Sequence, residues 1–98
     1  MTDELTILDN SFLRQFETKV EGKLAKVEYA SQEKKIFLTK LVIPEEIAED
    51  GFKEMFLKEI LGIIKEKKLS VVPTSPQIAG FLRKHKEYKD LLPVGIRI

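Results

Sequence analysis

The sequence predicts an α+β domain, an antiparallel strand meander followed by a helix–strand–helix unit, all in one mixed sheet. Three observations carry that expectation. Apolar and polar residues alternate in short runs from Phe12 to Ile43, the mark of half-buried strands. Between Phe52 and Lys67 the apolar spacing lengthens to the helical period of about 3.6. A short β-prone run, Leu69 to Val72, follows that helix. A strand–helix–strand order places its two strands parallel, with the helix crossing one face.

Each element has a local cause. Leu5 to Leu8 is a short apolar run, with Asp9-Asn10 as its turn signal. From Phe12 to Val20, the even positions Phe12, Arg14, Phe16, Thr18 and Val20 share one face of a strand. Glu21-Gly22 suits a two-residue hairpin turn, because glycine takes positive φ without steric cost. A strand resumes from Leu24 to Ala30, Ser31 to Lys34 form a polar turn, and Ile36 to Ile43 is the most β-prone run. Pro44 ends it, having no N–H for a ladder.

In the helix from Phe52, the residues Phe52, Met55, Phe56, Ile60, Ile63 and Ile64 make the apolar stripe. Asp50 offers a carboxylate as its N-cap. A second helix begins with Ser75 as N-cap and Pro76 as first helical residue, buries Ile78, Ala79, Phe81 and Leu82, and runs to Tyr88. Pro93 to Ile98 reads as a last extended segment.

Composition bounds the chemistry. Ninety-eight residues make one domain, 1–98. Seventeen basic and sixteen acidic residues leave a formal charge of +1, so no global field favours nucleic acid or an anionic membrane. The absence of cysteine excludes disulfides, a thiolate nucleophile and a cysteine-ligated zinc site, and a single histidine excludes a multi-histidine metal site. The acidic start, Met1 to Glu4, lacks an export-signal layout, and no apolar run reaches the length of a membrane span. A cytoplasmic location is expected, and no metal.

Three stretches point to a family: Val42-Ile43-Pro44-Glu45 before the first helix, Val71-Val72-Pro73-Thr74-Ser75-Pro76 before the second, and His85-Lys86-Glu87-Tyr88 after it. In this order the chain resembles, from about Leu13 to Leu91, the compact GNAT-type N-acetyltransferase-like domains. Those domains carry a V-x-P turn, a phosphate-binding loop and helix, a P-S/T-C-P turn and an H-P-E-Y ending. The resemblance implies the GNAT sheet, with a splayed cleft between the strand ending near Ile43 and the strand ending near Val72. It also implies acetyl-CoA as cofactor and a small amine as acceptor. The implied cofactor-binding positions are Leu41, Val42, Ile43, Asp50, Gly51, Phe52 and Ser75. Ser75, where relatives often carry cysteine, is the implied catalytic residue, able to assist proton movement at the departing thiolate.

The chain also departs from the pattern. Where the family has R-G-x-G-I/L, this sequence has Ala48-Glu49-Asp50-Gly51-Phe52. Only Gly51 is kept, and Glu45 and Glu46 add further carboxylates. A like-charge pair about 6 Å apart at an effective dielectric near 20 costs about 3 kcal/mol before screening. Phe81 stands where relatives often have tyrosine, and His85 lies at the edge of the buried stripe, suited to holding the helix end or to acting as a base. Within the implied activity, Arg83 or Lys84 can meet the 3′-phosphate of CoA; the alternative is a solvated basic surface. Two functions stay open: an acetyl-CoA-dependent N-acetyltransferase, or a GNAT-like scaffold that has lost CoA binding and serves as an interaction or ligand-binding module. The acceptor and the oligomeric state are not encoded legibly.

Overall fold

The computed structural model describes residues 6–48 and 51–93. Five strands form one sheet in sequence order: β1 (Leu8–Asn10), β2 (Gln15–Val20), β3 (Lys23–Gln32), β4 (Lys35–Val42) and β5 (Ser70–Pro73). The first four pair antiparallel, and β5 joins β4 in parallel. Helix α1 (Phe52–Glu66) makes the crossover between β4 and β5, and helix α2 (Pro76–Lys84) follows β5. The α+β mixed sheet is the expected one. A meander needs only short turns, whereas a parallel return needs the length of α1 to reach the far end of β4.

The turns show why the meander closes. Glu21 and Gly22 both take positive φ, 51° and 78°, the backbone of a tight hairpin whose twist matches its strands. Glu33, at φ 55°, turns β3 into β4. The core gathers Phe16, Ala25, Val27, Ile36, Leu38 and Val71 from the sheet with Phe56, Leu57, Ile60 and Ile64 from α1 and Ile78, Phe81 and Leu82 from α2.

An irregularity in β4 sets up the site. Glu28 pairs with Lys40 and Tyr29 with Leu38, so Thr39 is an extra, unpaired residue in β4. The bulge shifts the strand's phase by one residue. Ile36 and Leu38 face the core before it, and Leu41 and Ile43 pack against the core after it; unbroken alternation would have turned Lys40 inward instead. The Thr39 hydroxyl donates to the Glu28 carbonyl at 3.2 Å and holds the bulge.

Several sequence expectations need correction. The first turn is not at Asp9-Asn10, which belong to β1; it spans Ser11 to Arg14, and β2 starts only at Gln15. Long-range partners explain the delay. Asp9 accepts the Tyr29 hydroxyl at 2.5 Å, Asn10 donates to Glu17 at 3.0 Å, and the Asn10 side-chain oxygen accepts the Leu13 N–H at 3.0 Å. Phe12 therefore sits in the turn, 93% exposed, rather than on a buried strand face.

The strand predicted to end at Ala30 continues to Gln32. Helix α2 ends at Lys84, not at Tyr88: His85 leaves helical geometry at φ −114° and ψ 80°, and a separate 3₁₀ segment, Lys86–Leu91, follows. Helix α1 is capped by Gly51 in left-handed geometry, φ 87°, not by Asp50. Asp50 and Glu49 lie outside the described residues, as does the predicted extended segment beyond Pro93.

Candidate functional site

The site begins where β4 and β5 part. Their parallel pairing covers Lys35 to Leu38 on β4 and Ser70 to Pro73 on β5. Beyond it, Thr74 donates its backbone N–H at 3.1 Å and its hydroxyl at 3.0 Å to the Leu38 carbonyl. Strand β5 then turns into α2, while β4 runs on to Val42 with, among the described residues, β3 as its neighbour on one side only. Alternate backbone N–H and C=O groups of that stretch point away from β3. They face a cleft of about 470 Å³ lined by Leu41, Val42, Ile43, Ala48, Lys53 and Gln77.

Helix α1 aims its N-terminus at this cleft. Its cap, Gly51, makes no side-chain capping bond, and its carbonyl accepts the Met55 N–H at 2.9 Å. The first turn of a helix presents unpaired N–H donors and a partial positive charge, the standard requirement for holding a phosphate. Of the acidic residues before it, Glu46 is drawn toward Lys23 at the β2–β3 hairpin, 3.7 Å away.

All but one of the predicted site residues have a place. Leu41, Val42 and Ile43 line the cleft together. Gly51 and Phe52 open α1, but the Phe52 ring is 7% exposed and stacks on Phe56 at 5.7 Å, leaving only its backbone for a ligand. Asp50 lies outside the described residues. Ser75 occupies the N-cap position of α2, 6% exposed, and its carbonyl accepts the Ala79 N–H; its side chain makes no capping bond. Its neighbours Pro76 and Gln77 face the cleft region, while Ser75 does not line it.

The residues that sequence reasoning missed are Lys53 and Gln77. Lys53 carried a signal: a cation in the first turn of a helix opposes the macrodipole, and such local conflicts collect at functional positions. Gln77 carried none, since only the approach of α2 to β4 brings it to the cleft.

A second cavity, of about 340 Å³, adjoins the first through the shared Lys53 and Gln77. It lies between the first turn of α1 and the exposed face of α2. His85 borders it, stacked on Phe81 with ring centres 4.2 Å apart and its Nε2 3.6 Å from a Glu54 carboxylate oxygen. Phe81 also meets the Tyr88 ring at 6.2 Å. Burial, chiefly, pushes the Tyr88 phenol above its ordinary pKa, and Glu87 and Glu59 add to the effect. No helix among the described residues is long and apolar enough to cross a membrane.

Comparison with curated proteins gives no match. A family model described as GCN5-related N-acetyl-transferase matches residues 15–91, which takes in the sheet from β2 onward, both helices and all of the cleft described above. The chain belongs to the GCN5-related N-acetyltransferase family.

Proposed function

We propose that the protein is an acetyl-CoA-dependent N-acetyltransferase that acts on a small amine. The observation that carries this reading is the edge of β4 at Leu41 and Val42, continued by Ile43 and unpaired among the described residues, open to a cleft that ends at the first turn of α1. The residues fit the cofactor: an apolar strand edge with free backbone groups suits the amide-bearing pantetheine arm, and Lys53 with the α1 N-terminus suits its phosphates. Acetyl-CoA supplies an activated thioester carbonyl.

The chain's own part is positioning and proton movement. Backbone groups of Leu41 to Ile43 hold the thioester arm along β4, so that an amine lone pair approaching the carbonyl carbon meets it in a fixed orientation. As the C–N bond forms and the C–S bond breaks, the amine gives up a proton and the leaving sulfur gains one. Ser75, buried at the N-cap of α2 and set back from the cleft, is the residue assigned to assist that transfer, acting through a neighbouring group rather than at the thioester itself. No covalent enzyme intermediate is required.

The test is thermal unfolding of the protein against acetyl-CoA concentration. A ligand that binds only the folded state stabilises it by about 2.7 kcal/mol at a hundredfold excess over Kd, so a saturable rise in Tm is expected. An unchanged Tm at millimolar acetyl-CoA would overturn the proposal and leave a GNAT scaffold with another role. Release of free thiol in the presence of small primary amines then checks the transfer itself.

A further inference from the structure

The solvent face of α1 carries a charge pattern that its own fold does not use. Phe56, Ile60 and Ile64 are buried in the core, and at about 3.6 residues per turn Gly62 falls on the opposite face of the helix. Lys58 and Lys65, four residues before it and three after, flank Gly62 on one side. Glu59 and Glu66, three before and four after, flank it on the other. One edge of the outward stripe is therefore basic and the other acidic.

Pairing within the helix does not account for this arrangement. Opposite charges support a helix when they stand three or four residues apart, and Glu59, Lys65 and Glu66 have no such partner. Lys58 has Glu54 four residues before it, but that carboxylate is held toward His85 at 3.6 Å. Among the described residues, none of the four charges flanking Gly62 forms an ion pair with another element.

Gly62 is an independent observation. A Cβ added there would meet nothing within 4 Å. Packing within the chain does not call for glycine, and alanine would be the better helix former. Gly62 lies in a groove of about 420 Å³ lined also by Lys58, Glu59, Ile63 and Glu66. Its missing side chain lets a second backbone approach closely at the middle of the stripe. Met55, half-buried and two turns earlier on the same line, supplies apolar surface beside it.

We propose that this face of α1 is the interface of a parallel dimer, with the two-fold axis along the helices and the two Gly62 residues at the crossing. A two-fold interface brings the same patch of each copy together. With the helices parallel, the axis sets the acidic edge of one copy against the basic edge of the other. Glu59 then meets Lys58 of the second copy, Glu66 meets its Lys65, and symmetry repeats both pairs. In an antiparallel pair, edges of like charge would meet. The pattern thus selects a second copy of this chain and its direction, as charged positions flanking a coiled-coil seam do. Nothing in it depends on the acetyl-CoA reading.

Sedimentation velocity of the full chain over a concentration series is the test. A concentration-dependent dimer is expected, weakened by added salt because exposed ion pairs are screened. Lys58→Glu turns two symmetry-related attractions into repulsions and should raise the dimer Kd about tenfold. Adding Glu59→Lys restores opposite charges across the axis and should recover the native Kd. Gly62→Gln, a better helix former with a side chain at the crossing, should raise the Tm of the dilute monomer and still abolish the dimer. Circular dichroism checks that each variant is folded.

A chain that stays monomeric at millimolar concentration overturns the proposal, as does a dimer that Gly62→Gln and Lys58→Glu both leave intact. A dimer tightened by Lys58→Glu would mean that like-charged edges meet, which overturns the parallel arrangement. Loss in Lys58→Glu with no recovery in the double variant overturns the pairing of Lys58 with Glu59.

Discussion

Thr74 donates twice to the carbonyl oxygen of Leu38, from its backbone nitrogen at 3.1 Å and from its hydroxyl at 3.0 Å. That oxygen is the last acceptor that β4 shares with the β5 side of the sheet, and Thr39, the next residue, is the bulge. The two features together stop the parallel pairing at one defined place. Without them, β5 would have reason to continue along β4 and close the cleft that Leu41 to Ile43 now border.

Thr74→Val keeps the branched shape and the backbone bond and deletes only the hydroxyl. Leu38 keeps one donor, so the expected loss is about 1 kcal/mol, read from the midpoint of urea unfolding. The variant should also bind acetyl-CoA less tightly, because the edge of the splay is less well held. A stability equal to that of the native chain would show that the hydroxyl does not help to fix the end of β5.

Two glycine replacements should differ in sign. Gly51 caps α1 at φ 87°, with nothing within 4 Å of an added Cβ. Gly51→Ala therefore meets no clash, only the left-handed backbone penalty of about 1 kcal/mol. Gly62 lies inside α1 with ordinary helical φ and equally open space. Gly62→Ala should stabilise by up to about 1 kcal/mol. Thermal melts of the two variants give the comparison directly, and shifts of the same sign would contradict it.

Alkaline pH should weaken the fold through Tyr29. Burial, and then the hydrogen bond to Asp9, push its phenol up to about 12 from the ordinary 10.0. Above the unfolded-state pKa, the unfolded chain releases this proton while the folded one retains it, so stability is full below about pH 10 and falls as pH rises toward 12. Tyr29→Phe should lose stability at neutral pH by about 1–2 kcal/mol, because Asp9 then keeps only Lys67, at 3.2 Å. It should also show a flatter decline over the alkaline range. Urea titrations at neutral pH and above pH 10 check both statements.

The acidic loop is open to repair. Ala48→Arg with Glu49→Gly removes one carboxylate and supplies a guanidinium beside the cleft that Ala48 lines. Acetyl-CoA affinity should rise by about a hundredfold, since one relieved like-charge contact and one new charge-assisted contact are each worth about 1.5 kcal/mol. Calorimetry that shows unaltered affinity would mean that the loop does not limit binding.

Much of the fold was legible because its causes are local. Glu21-Gly22 announced a hairpin through φ alone, Pro44 stopped a strand by lacking an N–H, and the spacing from Phe52 to Ile64 marked one buried helical face. The misplaced boundaries have long-range causes. Asp9 reads as a turn residue until Tyr29 and Lys67 engage it, and His85 reads as helical until it stacks on Phe81 and turns toward Glu54.

The sequence by itself determined the order of the elements, the parallel return of β5 and the likeness to an acetyltransferase family, because propensity, turn chemistry and apolar period act within a few residues. Only the tertiary structure decided where β5 leaves β4, that Thr39 bulges, and that Lys53 faces Arg83 and Lys84 across one cavity. Those relations join residues distant along the chain, and they arise only when helix packing on the sheet sets the register between them.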